Sequence, residues 1–62
     1  MKKLMYEDVN LKTGFSYSIY RYSSSSKTLY LVYECDQDGN MKCIEEVNSC
    51  DKALTFVRNK CK

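Results

Sequence analysis

The sequence predicts an α+β fold, a three- to four-stranded antiparallel β-meander with one C-terminal α-helix packed on one face. Three observations predict it: alternating aromatic and β-branched residues between positions 15 and 35, turn residues between such segments, and an apolar stripe of helical period near the C-terminus. The chain has 62 residues and no proline or linker. We therefore predict a single small domain over residues 1–62, with a core too small to hold a deep cleft.

The first segment, Lys3 to Val9, permits two interpretations. As a strand, it would pair with Phe15–Tyr22 through a loop in which Asn10 begins the turn and Gly14 takes a positive φ. As a short helix, it would align Leu4, Met5, Asp8 and Val9 on one side. We favour the strand.

The central hairpin joins residues 15–22 to residues 28–35 through the polar loop Ser23–Lys27. If all five loop residues lie outside the ladder, Tyr22 lies opposite Thr28. Side chains alternate between the two faces of a sheet, so this register predicts a core face and an uncovered face. The core face holds Phe15, Tyr17, Ile19, Leu29, Leu31 and Tyr33. The uncovered face holds Tyr20, Tyr22, Tyr30 and Val32. A shift of one residue would invert the assignment for one strand.

The remainder of the chain predicts a turn, a strand and a helix. Asp38-Gly39-Asn40 is a strong signal for a tight turn, and Met41–Val47 is predicted to be the last strand. Asn48 or Ser49 can cap the following helix. Its apolar stripe, predicted to pack on the core face, comprises Cys50, Ala53, Leu54, Val57 and Cys61. Phe56 projects to the side of this stripe, between Lys52 and Lys60.

No catalytic or cofactor-binding pattern is present. The chain has no histidine, the commonest general base, and its two glycines are isolated rather than part of a phosphate-binding loop. The run Asp36-x-Asp38-x-Asn40 does not continue as an EF-hand loop, because Met41 and Val47 stand where Gly and Glu are needed. We expect a protein that is not an enzyme and that has no cofactor.

The four cysteines lie at positions 35, 43, 50 and 61. Their spacing contains no CxxC knuckle, which disfavours zinc. We expect them to be reduced and to serve as small buried apolar residues, with two disulfides as the alternative.

Several features bear on the location of the protein. No apolar run is long enough to span a membrane. Met1-Lys2-Lys3 resembles the start of a signal peptide, but Tyr6-Glu7-Asp8 stands where an apolar region should follow. We expect a cytoplasmic protein. A small, motif-free chain rich in Ser, Lys and Asn is typical of phage, viral or mobile-element accessory proteins, for which the location would be the host cytoplasm.

The leading functional hypothesis is a protein-binding module, a small inhibitor that binds a host protein. The candidate binding residues are Tyr20, Tyr22, Tyr30, Val32 and Phe56, because aromatic side chains are enriched at interface hot spots. The alternative is a small RNA- or DNA-binding domain that uses the tyrosines and a basic helix face, Lys52, Arg58, Lys60 and Lys62. Self-association through a sheet edge is a further expectation.

The order of elements, antiparallel strands followed by a C-terminal helix, resembles the second half of a double-stranded-RNA-binding domain. In that family a basic, Gly- and Lys-rich run enters the last helix. Here the corresponding run is Glu45-Glu46-Val47-Asn48-Ser49-Cys50-Asp51-Lys52. Because acids replace the phosphate-binding bases, the resemblance implies a similar arrangement of elements and not the RNA-binding function.

Overall fold

A computed structural model describes residues 2–61 of the chain. They form β1 (Lys2–Val9), β2 (Ser16–Ser23), β3 (Thr28–Cys35), β4 (Met41–Val47) and α1 (Cys50–Lys60). The strands form one antiparallel sheet in the order β1-β2-β3-β4, and α1 packs on one side of it. The predicted α+β meander is confirmed. The first segment is a strand, so the helical alternative is wrong.

The two loops that connect the central hairpin to the outer strands β1 and β4 form as their turn residues predict. In the first loop, the Gly14 amide donates to the Asn10 carbonyl at 2.8 Å, and Gly14 has a φ of +78°. In the last loop, the Asp36 carboxylate accepts the backbone amides of Asp38 and Asn40, each at 2.9 Å. These bonds to the charged form hold the pKa of Asp36 below its ordinary value.

The register of the central hairpin differs by one residue from the sequence-based expectation. Tyr22 lies opposite Leu29 rather than Thr28, and Ile19 lies opposite Val32. As a result Tyr30 and Val32 share a face with Tyr17 and Ile19. The expected core positions of Leu29, Leu31 and Tyr33 are therefore wrong, as are the uncovered positions of Tyr30 and Val32.

The cause of this shift is the length of the serine loop. Ser23 pairs with Thr28 and extends the ladder, which leaves a four-residue loop, Ser24–Lys27. The Ser24 hydroxyl accepts the Lys27 amide at 3.2 Å and donates to the Lys27 carbonyl at 3.1 Å. The backbone amide of Ser24 also donates to that carbonyl, at 2.9 Å. One serine side chain thus closes the loop from within and sets the register.

The core lies between α1 and the sheet. Its fully buried members are Ile19, Val32, Ala53 and Val57, and Tyr17 is 5% exposed. Leu54 and Cys61 pack against this cluster, as the predicted helical stripe requires. The helix begins after Ser49, one of the two predicted caps, although the Ser49 side chain makes no capping bond.

A buried asparagine ties the helix to the first hairpin. Asn10 is only 7% exposed. Its side-chain amide nitrogen donates to the carbonyl of Lys60 at 2.8 Å, at the end of α1. Its side-chain oxygen accepts the amides of Lys12 at 2.9 Å and Thr13 at 3.4 Å. The same residue therefore shapes the loop and satisfies a terminal helix carbonyl, which would otherwise need a partner.

Two alanine variants distinguish the observed register from the expected one. Val32→Ala should lower the free energy of unfolding by about 1.5–3 kcal/mol, because it empties space in the core. Leu31→Ala, on the opposite face, should cost roughly 1 kcal/mol or less in dilute protein. Urea unfolding measures both values. The reverse order would favour the register in which Leu31 is a core residue.

The role of Asn10 is tested in the same way. Asn10→Ala should cost about 1–3 kcal/mol, since it leaves the part-buried Lys60 carbonyl and the loop amides without their partner. Leu11→Ala is the matched control one residue away, because Leu11 is 89% exposed; its cost should stay within about 0.5 kcal/mol. Equal costs for the two variants would show that the asparagine bonds do not hold the helix to the loop.

Candidate functional site

The side of the sheet opposite α1 carries a continuous apolar surface. Strand register brings six residues together there, and we call this surface the open face: Leu4, Tyr20, Tyr22, Leu29, Leu31 and Tyr33. Leu4 is 42% exposed and Tyr22 is 41% exposed. Within residues 2–61 the helix packs only on the other side, so no further element covers the open face. Uncovered apolar patches of this kind mark interaction sites more often than chance.

The centre of the open face is ordered by aromatic and cation contacts. The rings of Tyr20 and Tyr33 meet edge to face, with centroids 5.4 Å apart and an interplanar angle of 82°. The Lys2 ammonium donates to the Tyr33 hydroxyl at 3.2 Å and lies 5.3 Å from the centroid of that ring. These contacts hold the rings in fixed orientations before any partner binds, which lowers the entropic cost of binding.

The structure divides the predicted binding residues between the two sides of the sheet. Tyr20 and Tyr22 lie on the open face as expected. Tyr30 and Val32 face the helix. Val32 has no exposed surface, so it cannot contact a partner while the fold is intact, and Tyr30 is half-buried on the side away from the open face. Sequence reasoning missed the remaining members of the open face. The register shift explains Leu29, Leu31 and Tyr33, and the pairing of β1 with β2 explains Leu4, which lies opposite Tyr20.

Phe56 and the basic helix residues belong to a different surface. Phe56 packs partly against the core, and the Lys60 ammonium lies 5.5 Å from its ring centroid. Lys52, Arg58 and Lys60 are exposed along α1, and Lys62 lies outside the described residues. Because α1 covers the core side of the sheet, these cations are separated from Tyr20 and Tyr22 by the sheet itself. Within the described part of the chain, the helix cations therefore share no surface with Tyr20 and Tyr22.

Groups with shifted pKa values lie away from the open face. Burial, together with a 3.0 Å hydrogen bond to Glu34, raises the pKa of Tyr17. The neighbouring Asp8 carboxylate raises the pKa of Tyr6, whose hydroxyl donates to it at 3.3 Å. Burial raises the pKa of the Cys61 thiol. These shifts follow from packing against α1 and the charges around it, and they do not assemble a catalytic constellation.

The cysteines have different environments. All four are free thiols. Cys35, Cys50 and Cys61 are half-buried, whereas Cys43 is exposed, so the expectation of a buried residue is wrong for Cys43. Among residues 2–61, no group of three or more Cys, Asp or Glu side chains is placed to hold a metal ion.

Comparisons with known proteins add no family assignment. Neither the protein-family models, nor the curated proteins, nor the solved structures gave a significant match to this chain. Within the described part of the chain, no helix has the length and apolar character needed to cross a membrane. Functional inference therefore depends on the geometry of the open face.

The raised pKa of Tyr17 predicts a specific pH dependence of stability. A folded-state pKa above the unfolded value favours the neutral phenol, so its contribution is fully present below about pH 10 and is lost as pH rises through the folded-state pKa. Urea unfolding between about pH 8 and 11 should show a steeper alkaline loss of stability in the wild-type protein than in Tyr17→Phe. Equal slopes in the two proteins would contradict the assignment.

Proposed function

We propose that this protein is a non-enzymatic protein-binding module that occupies a surface of a cellular protein through its open face. The observation that carries the proposal is the uncovered apolar and aromatic side of the sheet, with Tyr20 and Tyr33 at its centre. Large rigid rings with a terminal hydroxyl supply contact area and a directed hydrogen bond, which is why they are enriched at hot spots. Phe56, on the other side of the sheet, is not part of this proposed surface.

The small size of the chain fits an inhibitor that acts by occupying a site on its target. A 62-residue domain can cover an interface of standard size but has little interior from which to build a reaction cavity. We therefore propose an inhibitor of the phage, viral or mobile-element type that acts in the host cytoplasm. This proposal accounts for the apolar open face without requiring a catalytic group.

A nucleic-acid-binding function has weaker support. Tyr20 and Tyr22 lie on the opposite side of the sheet from the helix cations, so a nucleic-acid strand that stacks on these rings would not reach Lys52 or Arg58. Tyr30 faces the helix but packs against the core. Among residues 2–61, Lys2 is the one cation that lies against the rings of the open face. Binding by a nucleic acid would weaken steeply with added salt because counterions are released on association. Binding to an apolar protein surface would depend on salt only weakly.

The proposal predicts which variants lose the partner. Immobilised protein should retain a protein from an extract of its native cells, and titration of the purified partner then measures affinity. Tyr20→Ala combined with Tyr33→Ala should weaken binding by at least about 30-fold, as for loss of a hot spot worth 2 kcal/mol or more. The matched control, Thr55→Ala with Asn59→Ala, changes two exposed residues of α1 and should leave affinity within about twofold.

Two outcomes of this binding experiment would contradict the proposal. Loss of the partner with the helix variant and retention with the tyrosine variant would move the site to α1 and overturn the proposal. Retention of nucleic acid instead of protein, with binding that disappears as salt is raised from 50 to about 200 mM, would favour the alternative.

A further inference from the structure

Three sulfur-bearing side chains come together where β3 leads into β4. Cys35 lies opposite Met41, and Tyr33, two residues before Cys35, lies opposite Cys43. Residues that face each other across a ladder project from the same side of the sheet, as do alternate residues of one strand. Cys35, Met41 and Cys43 therefore all project from the side opposite α1, beside the open face, and we call them the sulfur triad.

The hydrogen-bonding pattern of the ladder brings these side chains close together. The backbone amide of Asp36 donates to the carbonyl of Asn40 at 3.0 Å, so these two residues face each other as a hydrogen-bonded pair. Hydrogen-bonded and non-hydrogen-bonded pairs alternate along an antiparallel ladder, and the Cα atoms of a non-hydrogen-bonded pair lie only about 4.5 Å apart. Cys35 and Met41 are the next pair and have this closer spacing. Cys43 is the diagonal neighbour of Cys35, with roughly 7 Å between their Cβ atoms.

The sulfur atoms of the triad can rotate toward one another. Cys35 and Cys43 are free thiols, and among residues 2–61 the side chains that pack against the buried core do not include the triad. The Cys35 thiol donates to the Asp36 carbonyl at 3.7 Å, and the Cys43 thiol donates to the Glu45 carbonyl at 3.5 Å. A thiol is a weak donor, so a rotation about χ1 can release each sulfur. Met41 is 54% exposed, and its unbranched side chain is flexible.

We propose that the sulfur triad binds a monovalent copper ion, with the Cys35 and Cys43 thiolates as ligands and the Met41 thioether as a third. Thiolates and thioethers are soft ligands, which select Cu(I) over hard cations such as Mg²⁺ and Ca²⁺. Metal–sulfur bonds of about 2.3 Å let two thiolates on one ion lie up to about 4.6 Å apart. The two Cβ atoms, roughly 7 Å apart, meet this limit when each sulfur turns inward. The longer Met41 side chain reaches the same ion from its place opposite Cys35.

The ligand set favours copper over zinc and iron–sulfur clusters. Structural zinc sites are tetrahedral and closed by Cys or His, and iron–sulfur clusters are held by sets of Cys thiolates. The chain has no histidine, and among residues 2–61 no larger group of Cys, Asp or Glu is placed to hold a metal. Cu(I) forms stable complexes with as few as two sulfur ligands. Its binding converts both thiols to thiolates and releases their two protons, so the occupied site carries one net negative charge.

The spacing of the cysteines does not reveal this site, because strand pairing brings its members together and one of them is a methionine. The inference is independent of the proposed function. The triad lies toward the turn between β3 and β4, whereas the proposed binding surface is centred on Tyr20 and Tyr33.

The test is a titration of the purified, reduced protein with Cu(I) under anaerobic conditions, in competition with the chelator bathocuproine disulfonate. The wild-type protein should bind about one Cu(I) per chain. Cys35→Ser and Cys43→Ser should each weaken binding at least about 100-fold, because loss of an outer-shell partner alone costs about 10–100-fold. Met41→Leu, which keeps the size of the side chain, should weaken binding about 10-fold. The matched controls, Cys50→Ser and Met5→Leu, lie outside the triad and should keep wild-type affinity.

Urea unfolding with and without Cu(I) distinguishes a site built by the fold from thiols that bind copper in any conformation. An ion that binds the folded protein better than the unfolded chain raises the free energy of unfolding. Cu(I) should therefore raise the urea midpoint of the wild-type protein and of both controls, but not that of Cys35→Ser. Circular dichroism verifies that each variant is folded.

Wild-type affinity for Cu(I) in any of the three triad variants would overturn the inference. A loss with Cys50→Ser as large as that with Cys35→Ser would also overturn it, as would binding that leaves the urea midpoint of the wild-type protein unchanged. A protein that binds Cu(I) as expected but retains no cellular partner would support the copper site and contradict the proposed function. A protein that retains a partner through Tyr20 and Tyr33 but binds no Cu(I) would do the reverse.

Discussion

The pairing of β2 with β3 is the constraint on which the rest of the structure depends. It decides which side chains of the two central strands face α1 and which remain uncovered. With Ile19 opposite Val32, the aliphatic pair lies beneath the helix, and Tyr20 and Leu31 lie on the other side. The strands on either side follow from this choice, since β1 places Leu4 beside Tyr20 and β4 places Glu46 beside Leu31. The Ser24 loop, through a few hydrogen bonds, thus determines the composition of both faces.

Sequence patterns predict the strands, the turns and the helix, but they do not predict the register between β2 and β3. The β4 segment, the two turn glycines and the helical stripe of Ala53 and Val57 are predicted correctly because each has a strong local signal. The loop contains four consecutive serines, so nothing in its composition distinguishes a closing pair at Ser23 from an unpaired residue there. Amphipathicity does not help either, because β3 is apolar on both sides, with Tyr30 and Val32 on one and Leu29, Leu31 and Tyr33 on the other.

That double-sided character of β3 has a physical meaning. A strand with one face in water usually alternates between apolar and polar residues, whereas a strand covered on both sides is apolar throughout. Leu29-Tyr30-Leu31-Val32-Tyr33 has the second pattern, yet α1 covers only one side of it. Because β3 is apolar on both sides, its sequence alone does not fix the register of the hairpin. For the same reason, the side of β3 that α1 does not cover remains an exposed apolar surface. Three of the six open-face residues, Leu29, Leu31 and Tyr33, were missed because the sequence offers two apolar faces of β3 and only one helix.

The open face also limits what can cover it. A partner that covers Tyr33 also removes the Lys2 ammonium from water, because the ammonium lies 5.3 Å from the centroid of that ring. Burying this charge is unfavourable unless the partner offers an acceptor or an opposite charge beside it. The rings are already ordered by the Tyr20–Tyr33 and Lys2–Tyr33 contacts, so a partner that meets this condition loses little entropy in ordering them.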